Sequence, residues 1–125
     1  MGSPSSTQGT YPYQNQANWS RSEKAIARRV FDAALKRELQ GVIQETKQKA
    51  SQIKEPTDLW ELERYLTQRR KGIDRKYEFR SSQLVRVFGT LLHEGRICEE
   101  ELRGLGEDKM KAVRSAAKFL SQNVA

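Results

Sequence analysis

The sequence is poor in the residues that build redox, metal and catalytic sites. Of its 125 residues, only Cys98 is a cysteine and only His93 is a histidine. A lone cysteine excludes a disulfide within the chain, and the two residues cannot supply the four ligands of a usual zinc site. No nucleophile stands beside a base, and no phosphate-binding loop of established type is present. We therefore expect no metal, no cofactor and no enzymatic activity.

Apolar residues are also scarce, at 36% of the chain, and the mean hydropathy is −0.84. No run approaches the roughly 20 apolar residues of a membrane-spanning helix, and the N-terminus lacks the apolar core of a signal peptide. We expect a soluble, intracellular protein without a membrane span. So low an apolar content suits a long or oligomeric helical protein, because such a fold exposes most of each helix.

The N-terminal segment is set apart by its lack of charge. Residues 1–18 hold no charged side chain and are rich in Ser, Gln, Asn, Gly and Pro. Such a composition is typical of disorder. We predict a disordered tail over residues 1–19 and a single all-helical domain over residues 20–125.

A long helix is predicted to follow this tail. Ser20 and Glu23 fit a capping box, and the helix is expected to run from Arg21 to about Ile53. One stripe on it has heptad-like spacing and comprises Leu35, Leu39, Val42, Thr46 and Ile53. A helix of about 33 residues is roughly 50 Å long, which a chain of this size cannot cover alone. We therefore predict a homodimer held by this stripe, with a monomeric helical hairpin as the alternative.

The remaining sequence also reads as helical. Further helices are predicted over about 58–80, 82–94, 98–102 and 107–122, with Gly95 as a C-terminal cap of the third helix. No stretch shows the alternation of apolar and polar residues that is typical of a strand. The sequence therefore predicts an all-α fold.

Trp60 does not lie on the apolar stripe of the second helix. At about 100° per residue, the stripe spans about 60° and comprises Leu59, Leu62, Leu66, Ile73 and Tyr77. Trp60 lies about 100° from Leu59, on the side that carries Glu63, Thr67, Arg70 and Asp74. Tryptophan and arginine dominate binding hot spots, so this side is a candidate binding surface. The alternative is that Trp60 covers the edge of the core with its indole N–H in water.

The loop Leu102–Lys109 is a second candidate site. Two short helices join there through Gly104 and Gly106, as in helix-hairpin-helix DNA-binding motifs, where backbone N–H groups bind a phosphate. The net charge of +7 favours such a partner. However, Glu107 and Asp108 occupy the first turn, where a phosphate would have to bind. We expect a glycine-mediated helix corner and no nucleic-acid partner, with DNA binding as the alternative function.

A set of short strings along the chain carries a family resemblance. They are Asp58-Leu-Trp-Glu-Leu62, Arg69-Arg70, Ile73-Asp74, Lys76-Tyr77, Phe79-Arg80, Val87-Phe88, Leu91-Leu92, Glu94-Gly95 and Leu105-Gly-Glu-Asp-Lys109. Together they resemble the cyanobacterial fluorescence recovery protein family, over a region from about Arg21 to Phe119. The resemblance implies a homodimer with an elongated helical stalk at about 20–80 and a small helical head at about 81–108. The C-terminal helix follows at about 107–122.

The resemblance also implies a function. Members of this family bind the light-activated orange carotenoid protein and speed its return to the resting form, which ends quenching of phycobilisome fluorescence. Trp60 and Arg70 match functional residues of the family, whereas Glu63 and Arg64 replace a His and an Asp, and Arg86 replaces an aromatic residue.

The predicted residues form two sets. The partner-binding set comprises Trp60, Glu63, Arg64, Thr67, Arg70 and Asp74, and the dimer set comprises Leu35, Leu39, Val42 and Thr46. The resemblance implies a cytoplasmic location, at the cytoplasmic face of the thylakoid where phycobilisomes lie.

Overall fold

The structure, a computed structural model, describes residues 18–122 and is helical throughout. Its elements are α1 (Arg21–Ser51), α2 (Pro56–Lys76), α3 (Leu84–His93), a 3₁₀ helix (Glu99–Leu102) and α4 (Glu107–Gln122). No strand occurs within the described range. The predicted all-α fold is confirmed.

The start of α1 follows the predicted capping box. The Ser20 hydroxyl accepts a hydrogen bond from the Glu23 N–H at 3.1 Å, and the Glu23 carboxylate accepts one from the Ser20 N–H at 3.0 Å. The residue just before the cap differs from the prediction. Trp19, which the predicted tail included, is only 6% exposed and its ring centroid lies 6.4 Å from that of Phe88. The predicted tail boundary therefore came too late in the chain, since an indole this large gains from burial in the core. Residues 1–17 of the predicted tail lie outside the described residues.

Helices α1 and α2 form an antiparallel hairpin. Glu45 contacts Tyr65 near the turn of the hairpin, and Glu38 contacts Lys76 at its other end. A later residue of α1 thus pairs with an earlier residue of α2, as in an antiparallel pair. Pro56 begins α2, where a missing N–H costs nothing. The Asp58 carboxylate accepts the N–H groups of residues 54 and 55 at 2.9 and 3.1 Å, which closes the turn.

The second helix ends earlier than the predicted Arg80. Its last residue is Lys76, and Tyr77 is extended at φ −97° and ψ 90°. This change of direction lets Tyr77 and Phe79 both pack edge-on against Phe31, with ring centroids 5.3 and 5.1 Å apart. Aromatic pairing with α1 thus ends the helix, because a continued helix would point these two rings in different directions.

The hydrophobic core lies in the head, where α3 and α4 pack on the N-terminal half of α1. Its central residues are Ala27, Val30, Phe31, Ala34, Leu84, Val87, Phe88, Leu91, Leu102 and Val113. The stalk is different, because Ile73 is the only buried residue of α2. The predicted apolar stripe of α2 is therefore covered at Ile73 but partly uncovered within one chain, where Leu59 is 49% and Leu66 39% exposed.

Helices α3 and α4 cross closely at Gly89. A Cβ atom added there would lie 2.5 Å from the Cβ of Ala116, which is closer than two non-bonded carbon atoms approach each other. We predict that Gly89→Ala lowers the free energy of unfolding by about 1–3 kcal/mol through overpacking. Gly41→Ala in α1 is the control, because nothing lies within 4 Å of its added Cβ, and it should raise stability by about 0.5–1 kcal/mol. Urea unfolding of both variants tests this pair, and a change of the same sign in both would contradict it.

Candidate functional site

Helix α2 has one side held by α1 and an opposite side open to solvent. Arg69 lies on the held side, where its guanidinium Nη2 is 3.0 Å from a Glu38 carboxylate oxygen. Nine residues separate it from Trp60, which amounts to about 180° around the helix. Trp60 is accordingly 60% exposed. It does not cover the edge of the core, contrary to the alternative interpretation of its off-stripe position.

Trp60 lines a shallow groove on this open side. The groove has a volume of about 380 Å³, and its lining residues are Trp60, Glu63, Arg64, Thr67, Gln68 and Lys71. Four of the six predicted partner-binding residues therefore line this groove: Trp60, Glu63, Arg64 and Thr67. Arg70 and Asp74 are also exposed and lie towards one flank of the same side, but they do not line the groove. The groove is open and mixed in charge, which suits contact with a protein surface better than enclosure of a small molecule.

Residues 64–80 hold seven basic side chains, which the structure divides into two groups. Arg69 and Lys76 bind Glu38, and Arg80 binds Glu78, so these cations are engaged within the chain. The other four are exposed and form no ion pair within residues 18–122: Arg64, Arg70, Lys71 and Arg75. The open side of α2 therefore presents unpaired positive charge around an exposed tryptophan, and such a surface is complementary to acidic and apolar groups.

Glu38 is an important residue that the sequence did not single out. Its side chain is 1% exposed, although it lies in the charged string Lys36-Arg-Glu38 of α1. Its carboxylate oxygens accept from Arg69 at 3.0 Å, Lys76 at 2.9 Å and the Tyr77 hydroxyl at 2.8 Å. Arg96 adds a contact at 3.3 Å from the head. We call this set of five residues the Glu38 cluster.

Electrostatics keep Glu38 ionised. Burial by itself would raise the pKa of this carboxyl, but hydrogen bonds from Lys76 and Tyr77 and the nearby positive charges outweigh it, so the pKa lies below its usual range. Burial and the hydrogen bond donated to Glu38 raise the pKa of the Tyr77 hydroxyl well above its ordinary value. The cluster therefore contains a fixed carboxylate facing protonated partners at neutral pH.

The predicted dimer residues separate into a packed and an open part. Leu35 packs against the head core, and Val42 and Thr46 are half-buried, with the Thr46 hydroxyl donating to the Val42 carbonyl at 2.7 Å. Leu39 is 42% exposed, and Ile43, which was not predicted, is 50% exposed. The open apolar surface of the stalk thus consists of Leu39 and Ile43 from α1 with Leu59 and Leu66 from α2.

Comparison with known proteins assigns the chain to a family. A family model described as "Photoprotection regulator fluorescence recovery protein" matches residues 19–117. The chain belongs to the fluorescence recovery protein family. Its general role is accordingly the regulation of photoprotection.

Individual fluorescence recovery proteins agree with this assignment. The fluorescence recovery protein of Synechocystis sp. PCC 6803 is 39% identical over 104 residues, which cover 83% of this chain and 95% of that protein. A solved structure of the Fremyella diplosiphon fluorescence recovery protein matches with a TM-score of 0.78 at 38% identity. A solved structure of the Synechocystis protein matches with the same TM-score at 39% identity. Each match covers 81% of this chain and 99% of the other.

This member of the fluorescence recovery protein family closes its glycine loop with its own side chains. The Gly106 N–H donates to the Glu23 carboxylate at 2.7 Å. Lys109 lies 3.2 Å from the same carboxylate and donates to the Asn18 carbonyl at 2.8 Å. The DNA-binding interpretation required a free N–H at this loop, and that group already has an anionic partner. The loop joins the 3₁₀ helix to α4, as expected for a helix corner, and its hydrogen bond to Glu23 connects it to the start of α1.

The pair of Glu23 and Lys109 makes stability depend on pH. Burial alone would raise the pKa of Glu23, but hydrogen bonds from Ser20, Gly106 and Lys109 lower it below the ordinary 4.5. The folded state therefore binds this proton less tightly than the unfolded chain. The resulting stabilisation is present above pH 4.5 and is lost as the pH falls through the lower pKa of the folded state.

We predict that Glu23→Gln lowers the free energy of unfolding by about 2 kcal/mol at pH 7, because it removes a charge-assisted contact of a buried lysine. At pH 3 the difference from wild type should shrink, since the stabilisation by the Glu23 carboxylate falls as the pH drops below 4.5. Denaturant unfolding at both pH values measures this. Glu61→Gln, at an exposed position of α2, is the control and should match wild type. Equal losses for Glu23→Gln at both pH values would contradict the prediction.

Residues 18–122 lack two further kinds of site. No group of three or more His, Cys, Asp or Glu side chains in that range is arranged to hold a metal ion. Likewise, none of the helices in the described chain is both long and apolar enough to cross a membrane. The Trp60 side of α2 is therefore the candidate site on which the function is argued.

Proposed function

We propose that this protein binds the light-activated orange carotenoid protein and accelerates its return to the resting form, which ends quenching of phycobilisome fluorescence. Membership of a family of photoprotection regulators supports the general role. The specific partner comes from the motif resemblance, in which Trp60 and Arg70 match functional residues. The protein acts as a regulator rather than as an enzyme, and it works in the cytoplasm, beside the phycobilisomes.

One structural observation carries the proposal. Trp60 is 60% exposed on the open side of α2, among cations that have no ionic partner within residues 18–122. A tryptophan of this size is seldom left exposed without a use, because its burial against a partner yields a large apolar contribution. Trp60 is the apolar anchor, and Arg70 is the charged one. Both face away from the contacts that hold α2 in the fold.

The mechanism is differential binding. A conformational change accelerates when a second protein binds the conformations near the barrier more tightly than the starting form. A preformed surface such as the Trp60 side of α2 can do this without covalent chemistry. The final balance between active and resting partner does not have to change, because a catalyst lowers the barrier in both directions.

We propose further that the protein is a homodimer whose contact includes the open apolar surface of the stalk. Leu39, Ile43, Leu59 and Leu66 are between 39% and 50% exposed. At about 100° per residue, all four are turned to the same side of the antiparallel hairpin. A second copy can cover this surface by two-fold symmetry, in which the same residues meet on both subunits.

The function is tested by mixing the protein with illuminated orange carotenoid protein and following the colour change in the dark. We expect the return to the resting colour to be faster in proportion to the protein added. A return at the rate of the carotenoid protein alone would overturn the proposal.

The alternative function, nucleic-acid binding, is tested by titration with duplex DNA at about 0.15 M salt. Binding driven by phosphate contacts should weaken steeply as the salt concentration rises. We expect no saturable binding, because Glu23 occupies the loop N–H group that a phosphate would need. Salt-steep binding would favour the nucleic-acid alternative instead.

A further inference from the structure

Helix α2 is attached to the rest of the protein mainly by charge. Ile73 is its only buried residue. Next to it, on the held side of the helix, Arg69 and Lys76 both reach the same oxygen of Glu38, at 3.0 and 2.9 Å. Burial of apolar surface is non-directional, whereas hydrogen bonds to a carboxylate fix both distance and angle. The rotation and tilt of α2 at this end are therefore set by the Glu38 carboxylate.

The same carboxylate also connects to the head. Helix α3 ends in a Schellman motif, in which Gly95 has a φ of +75° and the Arg96 N–H donates to the Leu91 carbonyl at 2.9 Å. This turn directs the Arg96 side chain towards Glu38, 3.3 Å away. Glu94 completes the connection, because it binds both Lys76 and Arg96 at 2.7 Å. The Glu38 cluster thus joins α1, the end of α2 and the end of α3.

The geometry points to Glu38 as a positioning residue that fixes the Trp60 side of α2 relative to the head. Arg69, which Glu38 holds, lies about 180° around α2 from Trp60, so the contact keeps the indole turned outward. Glu38 does not touch a partner, because its side chain is 1% exposed. It acts through the orientation of α2. The functional part of this inference rests on the proposed function, and the structural part does not.

Removal of the Glu38 charge should weaken the attachment of α2 to the head. In Glu38→Gln, Arg69, Lys76 and Arg96 surround a neutral amide that cannot offset their mutual repulsion. Trp60 and its neighbours on the open side are unchanged in sequence. The variant should therefore let α2 swing relative to the head while the head core, built mainly from α3, α4 and α1, stays folded.

A distance measurement tests the structural part. Cys98 is the only cysteine of the chain and is exposed in the head, so a second label site at Glu61→Cys near the far end of α2 gives one spin pair per chain. Labelled protein is diluted with unlabelled protein to remove signals between subunits. We expect a narrow distance distribution with Glu38 present and a clearly broader one with Glu38→Gln. A distribution that stays narrow in Glu38→Gln would overturn the inference.

Glu23→Gln is the matched control. Glu23 is a second buried glutamate of α1, 7% exposed, and its partner Lys109 lies in α4 rather than in α2. It should leave the distance distribution narrow, and equal broadening would show that loss of any buried charge has this effect. Arg96→Gln removes the direct contact from the head to Glu38, while Glu94 can still bind Lys76, and it should broaden the distribution in a protein that keeps Glu38. This variant decides the question if Glu38→Gln does not fold.

Recovery kinetics test the functional part. Glu38→Gln should raise the concentration of protein that gives half-maximal acceleration by roughly threefold or more, as expected when coupling to a binding surface is lost. Glu38→Asp, which keeps the charge, should restore part of the effect. A broader distribution with unchanged kinetics would overturn the role of Glu38 in positioning Trp60. If wild-type protein gives no acceleration, the proposed function fails, and the distance measurement still tests whether Glu38 fixes α2 relative to the head.

Discussion

Replacing Trp60 by alanine should weaken binding of the activated carotenoid protein about thirtyfold and slow its recovery accordingly, while the helical circular dichroism stays the same. A central aromatic anchor contributes about 2 kcal/mol or more to binding, and each 1.4 kcal/mol corresponds to about a factor of ten in affinity. The fold should tolerate the change, because the side chain is 60% exposed in the single chain. Exposed substitutions usually alter the free energy of unfolding by about 0.5 kcal/mol or less.

Phe119→Ala is the control for this experiment. Phe119 in α4 is also 60% exposed, but it lies beyond the region matched by the family model, which ends at residue 117. Its loss should leave recovery at the wild-type rate. Unchanged recovery with Trp60→Ala would remove Trp60 from the proposed contact, even if the protein itself remained active.

Replacing Leu39 by glutamate should convert the proposed dimer into monomers. Leu39 is 42% exposed within one chain and belongs to the open apolar surface of the stalk. A carboxylate there would lose its hydration on association without gaining a cation, at a cost of several kcal/mol. Sedimentation should show the mass falling from twice 14.4 kDa to 14.4 kDa. The α-helical content should persist, because Leu39 lies outside the buried core.

Gln44→Glu provides the same charge elsewhere on α1. It lies five residues from Leu39, about 140° around the helix, and is exposed. Its dimer mass should equal that of wild type. If Leu39→Glu also sediments as a dimer, this part of the stalk does not form the subunit contact.

Local features of the sequence predicted most of the helices well. The capping box at Ser20 and Glu23 formed as expected, and Gly95 took the positive φ of a C-terminal cap. The last helix has the predicted bounds, Glu107–Gln122. These features depend on contacts within a few residues, so periodicity and capping rules are enough to locate them.

Contacts between distant residues account for the differences. Helix α2 ends before Tyr77 because Tyr77 and Phe79 both pack edge-on against Phe31, which is distant in sequence. Trp19 followed an uncharged segment but entered the core beside Phe88. No rule based on neighbouring residues can include these partners, since the fold alone brings them together.

The Glu38 cluster shows the same limit for the site. In the sequence, Glu38 stands among charges and looks like one more solvent-exposed residue of a helix. Its burial follows from partners 31, 38 and 39 residues further on, at Arg69, Lys76 and Tyr77. A buried carboxylate is stable only with such partners.

The sequence by itself determined the helical class, the family and the position of Trp60 off the apolar stripe, because all three are written in local spacing and motifs. Only the tertiary structure decided which side of α2 is open. It did so by engaging Arg69 and Lys76 with one buried carboxylate, which left Arg70 and Trp60 facing outward. Charges close in sequence thus acquired opposite roles, since a helix turns neighbouring residues about 100° apart and the fold covers only one side.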